Sequence, residues 1–164
     1  MEVTATKTGS RVKVTFERRL AQPVDKVWRA ITERDQLNQW FPSDVGVDVI
    51  GPDTKELHFT FRENEGPAGD GVVLEYDEPR LLVMDWYDGI LRFELTPIDD
   101  GRGTLLRFSH DVEDDGERPT RDSAGWHVCL EQLDALVAGV PLPALTEDRW
   151  KSIEPEYAER VKQL

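Results

Sequence analysis

The sequence predicts an α+β domain: a meander of seven antiparallel strands covered on one face by a single long helix. Three observations point there. Short segments in which apolar and polar side chains strictly alternate recur between residues 11 and 112. A long amphipathic helix follows them over residues 123–139, SAGWHVCLEQLDALVAG. Two short helical patterns sit between the first strand and the others. A helix with one apolar stripe, placed after a run of half-apolar strands, needs a sheet to lie on.

The elements follow in order. Residues 1–9 show no periodicity and read as a flexible lead-in to a domain spanning 10–140. In RVKVTFERRL, residues 11–20, Val12, Val14 and Phe16 oppose Arg11, Lys13, Thr15 and Glu17, the pattern of a half-buried strand. Pro23 opens a helix whose inner stripe is Val24, Val27, Trp28 and Ile31, and a second helix over 33–41 is closed by Pro42. Strands are then predicted at 44–50, 56–63, 72–77, 81–87, 90–97 and 104–112. Between them lie the turn signals Gly51-Pro52-Asp53, Asp77-Glu78-Pro79-Arg80, Asp88-Gly89 and Asp99-Asp100-Gly101, and a loop over 64–71. The last strand aligns Thr104, Leu106, Phe108 and His110 on one face. A loop at 113–122 leads to the long helix, capped by Ser123 or Asp122 and stopped by Gly139. Its stripe is Trp126, Leu130, Leu133 and Val137, flanked by Cys129 and Leu136. Residues 141–164 form a helical extension with Thr146 as its cap and Trp150, Ile153, Tyr157 and Val161 facing inward. Pro155 predicts a kink or two pieces there, packed on the same domain or across a homodimer.

Composition excludes several function classes. The formal net charge is −13, from 33 acidic and 20 basic residues, which repels phosphate backbones and anionic bilayers. The expected partners therefore include neither nucleic acid nor membrane. There is no apolar run of the ~20 residues a spanning helix needs and no signal-peptide pattern, so a cytoplasmic location is expected. The single cysteine, Cys129, forbids an internal disulfide. Three dispersed histidines and that cysteine have no metal-ligand spacing, and no phosphate-binding, dinucleotide-binding or nucleophile-elbow motif is present. No cofactor, metal or catalytic residue is expected.

Four stretches together resemble the START/SRPBCC superfamily, and within it the family named for the C-terminal domain of the activator of the heat-shock protein 90 ATPase. They are RRLAQPVDKVWRAITERDQLNQWF (18–41), GVVLEYDEPRLLVMDW (71–86), LTPIDDGRGTLLRFSH (95–110) and GWHVCLEQLDALVAG (125–139). The resemblance implies a helix-grip fold, START-like and Bet v 1-like, in which a curved sheet wraps the long C-terminal helix and often leaves a cavity between them. It names three function classes: a carrier of a small hydrophobic molecule, a co-chaperone acting on a chaperone, and a cyclase or hydrolase on the same fold. The eukaryotic activators carry a further N-terminal domain for which 164 residues leave no room.

The expected ligand site is an aromatic-rich lining: Trp28, Trp40, Phe59, Phe61, Trp86, Phe93, Phe108, His110, Trp126, Cys129, Leu130 and Leu133. Two readings stand for this set, a filled core and a ligand cavity. His110 is expected either to be satisfied by a backbone carbonyl or to serve as a polar anchor or general base at the mouth of a cavity. His58 and His127 fall on polar faces and read as solvent residues, and Cys129 reads as a small buried hydrophobe.

Overall fold

One antiparallel sheet of eight strands, in the order β1-β2-β8-β7-β6-β5-β4-β3, forms the floor of the molecule. The computed structural model describes residues 1–61 and 66–164. The strands are β1 (Glu2–Thr8), β2 (Arg11–Leu20), β3 (Ser43–Val45), β4 (Glu56–Phe61), β5 (Gly69–Asp77), β6 (Leu81–Trp86), β7 (Gly89–Ile98) and β8 (Gly103–Glu113). Helices α1 (Val24–Thr32) and α2 (Arg34–Trp40) carry the chain from β2, near one edge, to β3 at the other. Helices α3 (Arg118–Ala138) and α4 (Glu147–Lys162) follow the sheet. The expected α+β helix-grip architecture is present, with eight strands in place of seven. The expected end of one strand at 62–63 and the start of a loop at 64–65 lie outside the described residues.

The additional strand corrects the reading of residues 1–9. Glu2 to Thr8 pair residue by residue with Glu17 to Arg11 of β2, through a two-residue turn at Gly9-Ser10 in which Gly9 takes φ +60°. Val3 and Ala5 pack against the core, and Arg160 donates to the Val3 carbonyl at 3.2 Å. The inward side chains of β1 are small, so its alternation is faint. What orders it is the open edge of β2.

The long helix begins five residues earlier than expected, at Arg118 rather than Ser123. Asp115, not Ser123 or Asp122, supplies the start signal: its Oδ1 accepts from the backbone N–H of Arg118 at 2.6 Å and of Glu117 at 3.0 Å. Pro119 in the first turn is already preorganised for the helix. Ser123 lies inside, donating to the Pro119 carbonyl at 2.6 Å. Gly139 ends the helix in the left-handed conformation, as expected.

Helix α4 runs through Pro155 as one piece rather than two. Pro155 is exposed, so the missing backbone bond falls on the solvent side of the helix. Thr146 caps the helix by accepting from the Arg149 N–H at 3.1 Å, and Ile153 and Tyr157 are buried. Helix α4 therefore packs on its own domain, against α3 and the ring of Phe16.

Candidate functional site

Between the sheet and α3 the inward residues of successive strands meet as one aromatic network. Trp126 of α3 lies at its centre, with ring centroids 4.9 Å from Phe108, 5.2 Å from Trp86, 5.4 Å from Phe41 and 5.8 Å from His110. Phe108 continues to Phe93 at 4.8 Å, and Trp86 to Phe61 at 6.1 Å. Phe41 joins Trp40 at 5.6 Å and Phe59 at 6.2 Å. The alternation of β4, β6, β7 and β8 puts these rings on one face, and the antiparallel registers place Phe93 opposite Phe108 and Leu91 opposite His110. Trp28 stands apart: it packs edge-on against Tyr76 at 5.4 Å, away from the network. Two of the buried indoles donate within the core, Trp40 to the Ala30 carbonyl at 2.8 Å and Trp86 to the Ser43 hydroxyl at 3.1 Å.

The network fills most of the space beneath α3. Trp40, Phe59, Phe93, Phe108, Leu130 and Leu133 are all buried packing residues. A gap of about 130 Å³ opens beside the first half of α3, lined by Pro42, Trp86, Arg121, Asp122, Gly125, Trp126 and Cys129. Of the twelve expected lining residues, three stand at this gap: Trp86, Trp126 and Cys129. The other four lining residues were missed. Arg121 and Asp122 read as loop because the helix onset was placed too late. Gly125 carried a signal, being a helix-interior glycine whose absent side chain leaves room. Larger hollows on the molecule, of about 490, 620 and 640 Å³, are surface grooves whose walls include charged side chains such as Glu56, Arg18 and Glu154.

His110 is 2% exposed, and its Nε2 has no hydrogen-bond partner among the described residues. No carbonyl satisfies that nitrogen. Instead the ring is roofed by Gly89, where an added Cβ would fall 2.6 Å from Nε2. Burial, followed by the nearby guanidinium groups of Arg118 and Arg11, pushes its pKa down to about 3. An imidazole so reluctant to take a proton is a poor general base near neutrality, which weighs against acid–base catalysis at this position.

The start of α3 is tied to the β6–β7 hairpin. Tyr87 and Asp88 both adopt positive φ, 48° and 63°, the backbone of a two-residue hairpin turn. The turn presents the Tyr87 carbonyl to the Arg118 guanidinium, which donates to it. Arg118 and Arg121 both reach one carboxylate: each Nε lies 3.1 Å from an oxygen of Asp122.

The remaining histidines divide. His58 is exposed and bonded to Asp70 at 2.6 Å. His127 is not the solvent residue expected, because α4 half covers it; its Nδ1 shares a 2.7 Å hydrogen bond with the Tyr157 hydroxyl, and burial lowers its pKa. Among the described residues no cluster of His, Cys, Asp and Glu could hold a metal ion. Nor, among the described residues, is any helix long and apolar enough to cross a membrane.

Solved structures of the same fold cover nearly the whole chain. A conserved protein of unknown function from Enterococcus faecalis, EF2215, superposes with a TM-score of 0.82 at 24% identity, over 99% of this chain and 92% of that one. CalU16 from Micromonospora echinospora gives 0.73 at 22% identity, over 98% and 96%. SSP2350 from Staphylococcus saprophyticus gives 0.64 at 12% identity, over 81% and 97%. No curated protein sequence matches the chain. The family model described as "Activator of Hsp90 ATPase homolog 1-like protein" matches residues 21–138, from the end of β2 to the end of α3, and the chain belongs to that START/SRPBCC-type family.

Proposed function

We propose that this protein binds a small apolar, ring-sized molecule in the gap beside the first half of α3, and that it works as a cytoplasmic carrier or sensor rather than as an enzyme. The supporting observation is the gap itself: a space of about 130 Å³ whose walls include two tryptophan rings, Pro42 and Cys129, set against the aromatic network. An apolar cavity of ~150 Å³ holds benzene, so the volume suits one ring. The gap opens at Gly125, where an added Cβ would meet no atom within 4 Å.

Titration with benzyl alcohol, read by the fluorescence of Trp86 and Trp126, tests this. Saturable quenching that disappears in Gly125→Leu is the expected result. A linear, non-saturating response, identical in the variant, would sink the reading.

The family's description favours a second reading, in which the chain acts on a chaperone ATPase. Stimulation of a purified cognate chaperone's ATPase by the ligand-free protein, retained in Gly125→Leu, would favour that interaction over the carrier role.

A further inference from the structure

We infer that α4 is an acid-released strap, held on α3 by a neutral His127 and freed when that imidazole takes up a proton, which uncovers the apolar surface around Phe16. Helix α4 is placed to come away as a unit. It lies outside residues 21–138, the stretch that matches the family. Residues 140–146, which form no helix or strand, join it to α3 beyond Gly139 in the left-handed conformation. Of its 16 residues, Ile153 and Tyr157 are buried, so few apolar contacts oppose a local opening.

Docking runs through four side chains taken alternately from α4, α3, α3 and α4: Tyr157, His127, Glu131 and Arg149. The Tyr157 hydroxyl lies 2.7 Å from His127 Nδ1, and Tyr157 is 0% exposed, so its proton goes to that nitrogen. Nδ1 is then bare, and the proton of the neutral ring sits on Nε2, which faces Glu131 Oε1 at 3.4 Å. Arg149 closes the chain on Glu131 at 2.5 Å. A second proton on the ring fills Nδ1. The Tyr157 O–H then loses its acceptor in a position closed to water, and a buried unpaired donor costs its full desolvation. Tyr157 cannot escape by ionising, because burial pushes its pKa up. Burial likewise disfavours the imidazolium, and Arg149 adds to it; Glu131 and Glu156 pull the other way, but burial wins and the pKa of His127 is lowered. A ring that binds protons less well when docked than when free gives docking its full strength above pH 6.5, the ordinary histidine value, and loses it as the pH falls below.

Amide hydrogen exchange of the full chain at pH 7.5 and pH 5.0, each rate divided by that of the unstructured chain at the same pH, tests this. The α4 amides should be less protected than those of β8 at both pH values, which marks a local opening. Their protection should fall by about threefold at pH 5.0, within the tenfold per pH unit that one proton allows. In His127→Asn, whose side-chain oxygen can accept from Tyr157 but does not titrate, that fall should vanish. Three results overturn the assignment: α4 protection that is the same at both pH values, a fall that survives His127→Asn, or α4 amides that match those of β8 throughout and so open only with the whole fold. If His127→Asn already frees α4 at pH 7.5, the comparison of α4 with β8 in the unmodified protein still decides.

Discussion

His110 shows how one residue can set the acid limit of the molecule. Its folded-state pKa of about 3 lies below the usual histidine value of 6.5. As the pH falls below about 6.5 the unfolded chain takes up a proton that the native imidazole refuses, so stability declines until about pH 3, where the native state takes it up too. The slope approaches ~1.4 kcal/mol per pH unit. Urea unfolding at pH 7 and pH 4.5 should therefore show a loss for the unmodified protein that exceeds the loss for His110→Leu by roughly 2–3 kcal/mol. Equal losses would mean that the buried imidazole is protonated. Gly125 makes the opposite kind of prediction. It sits inside a helix with open space where a side chain would be, so Gly125→Ala should raise unfolding stability by about 0.5–1 kcal/mol in the same assay. Alternation alone revealed that Phe93, Phe108 and His110 face inward. It was silent on His110's missing partner, because Gly89 roofs the ring from the neighbouring strand and no local pattern records that.

At the scale of elements, α3 and α4 are held by contacts between parts of the chain far apart in sequence. Arg18 of β2 donates to Asp134 of α3 through Nε at 3.0 Å and Nη2 at 2.7 Å, and Arg149 of α4 reaches Glu131 of α3 at 2.5 Å. Such pairs are invisible to periodicity. What the sequence did reveal of α4 was local: the Thr146 cap and the inward positions of Ile153 and Tyr157. The start of α3 was misread for the converse reason. Asp115 lies three residues ahead of the first helical residue, and Ser123 offered a more familiar cap signal within the apolar pattern. The stability of α4 should respond in opposite directions at two positions. Thr146→Ala removes the cap bond and should cost about 1 kcal/mol. Pro155→Ala restores an N–H to an exposed helix interior and should stabilise the helix by roughly 1–3 kcal/mol. Hydrogen exchange of the α4 amides reads both. Faster exchange in Pro155→Ala would show that the proline fits a helix already adapted to it.

For the whole molecule, the resemblance carried by four stretches gave the helix-grip architecture, because the contact that joins its halves pairs β2 with β8 about a hundred residues apart. No turn signal predicts a pairing of that span. It is this pairing that presents Phe16, Phe108 and His110 side by side under α3 and leaves the second half of the helix fully packed on Leu133 and Val137. The gap lies near the helix start, where α3 is tied to the β6–β7 hairpin by Arg118 and faces Pro42. A ligand there would bridge α3, β6 and the corner after α2, elements that separate when the chain unfolds. Binding must then raise global stability by mass action: about 1.4 kcal/mol at a free ligand concentration ten times Kd. For a chain of 164 residues that corresponds to a rise in Tm of roughly 3–6 °C. Thermal unfolding with benzyl alcohol at one and ten times its fluorescence-derived Kd measures it, with Gly125→Leu as the blocked control. A Tm that climbs with ligand in the unmodified protein and stays flat in the variant places the bound molecule in the gap. A rise of the same size in both would place it elsewhere on the fold.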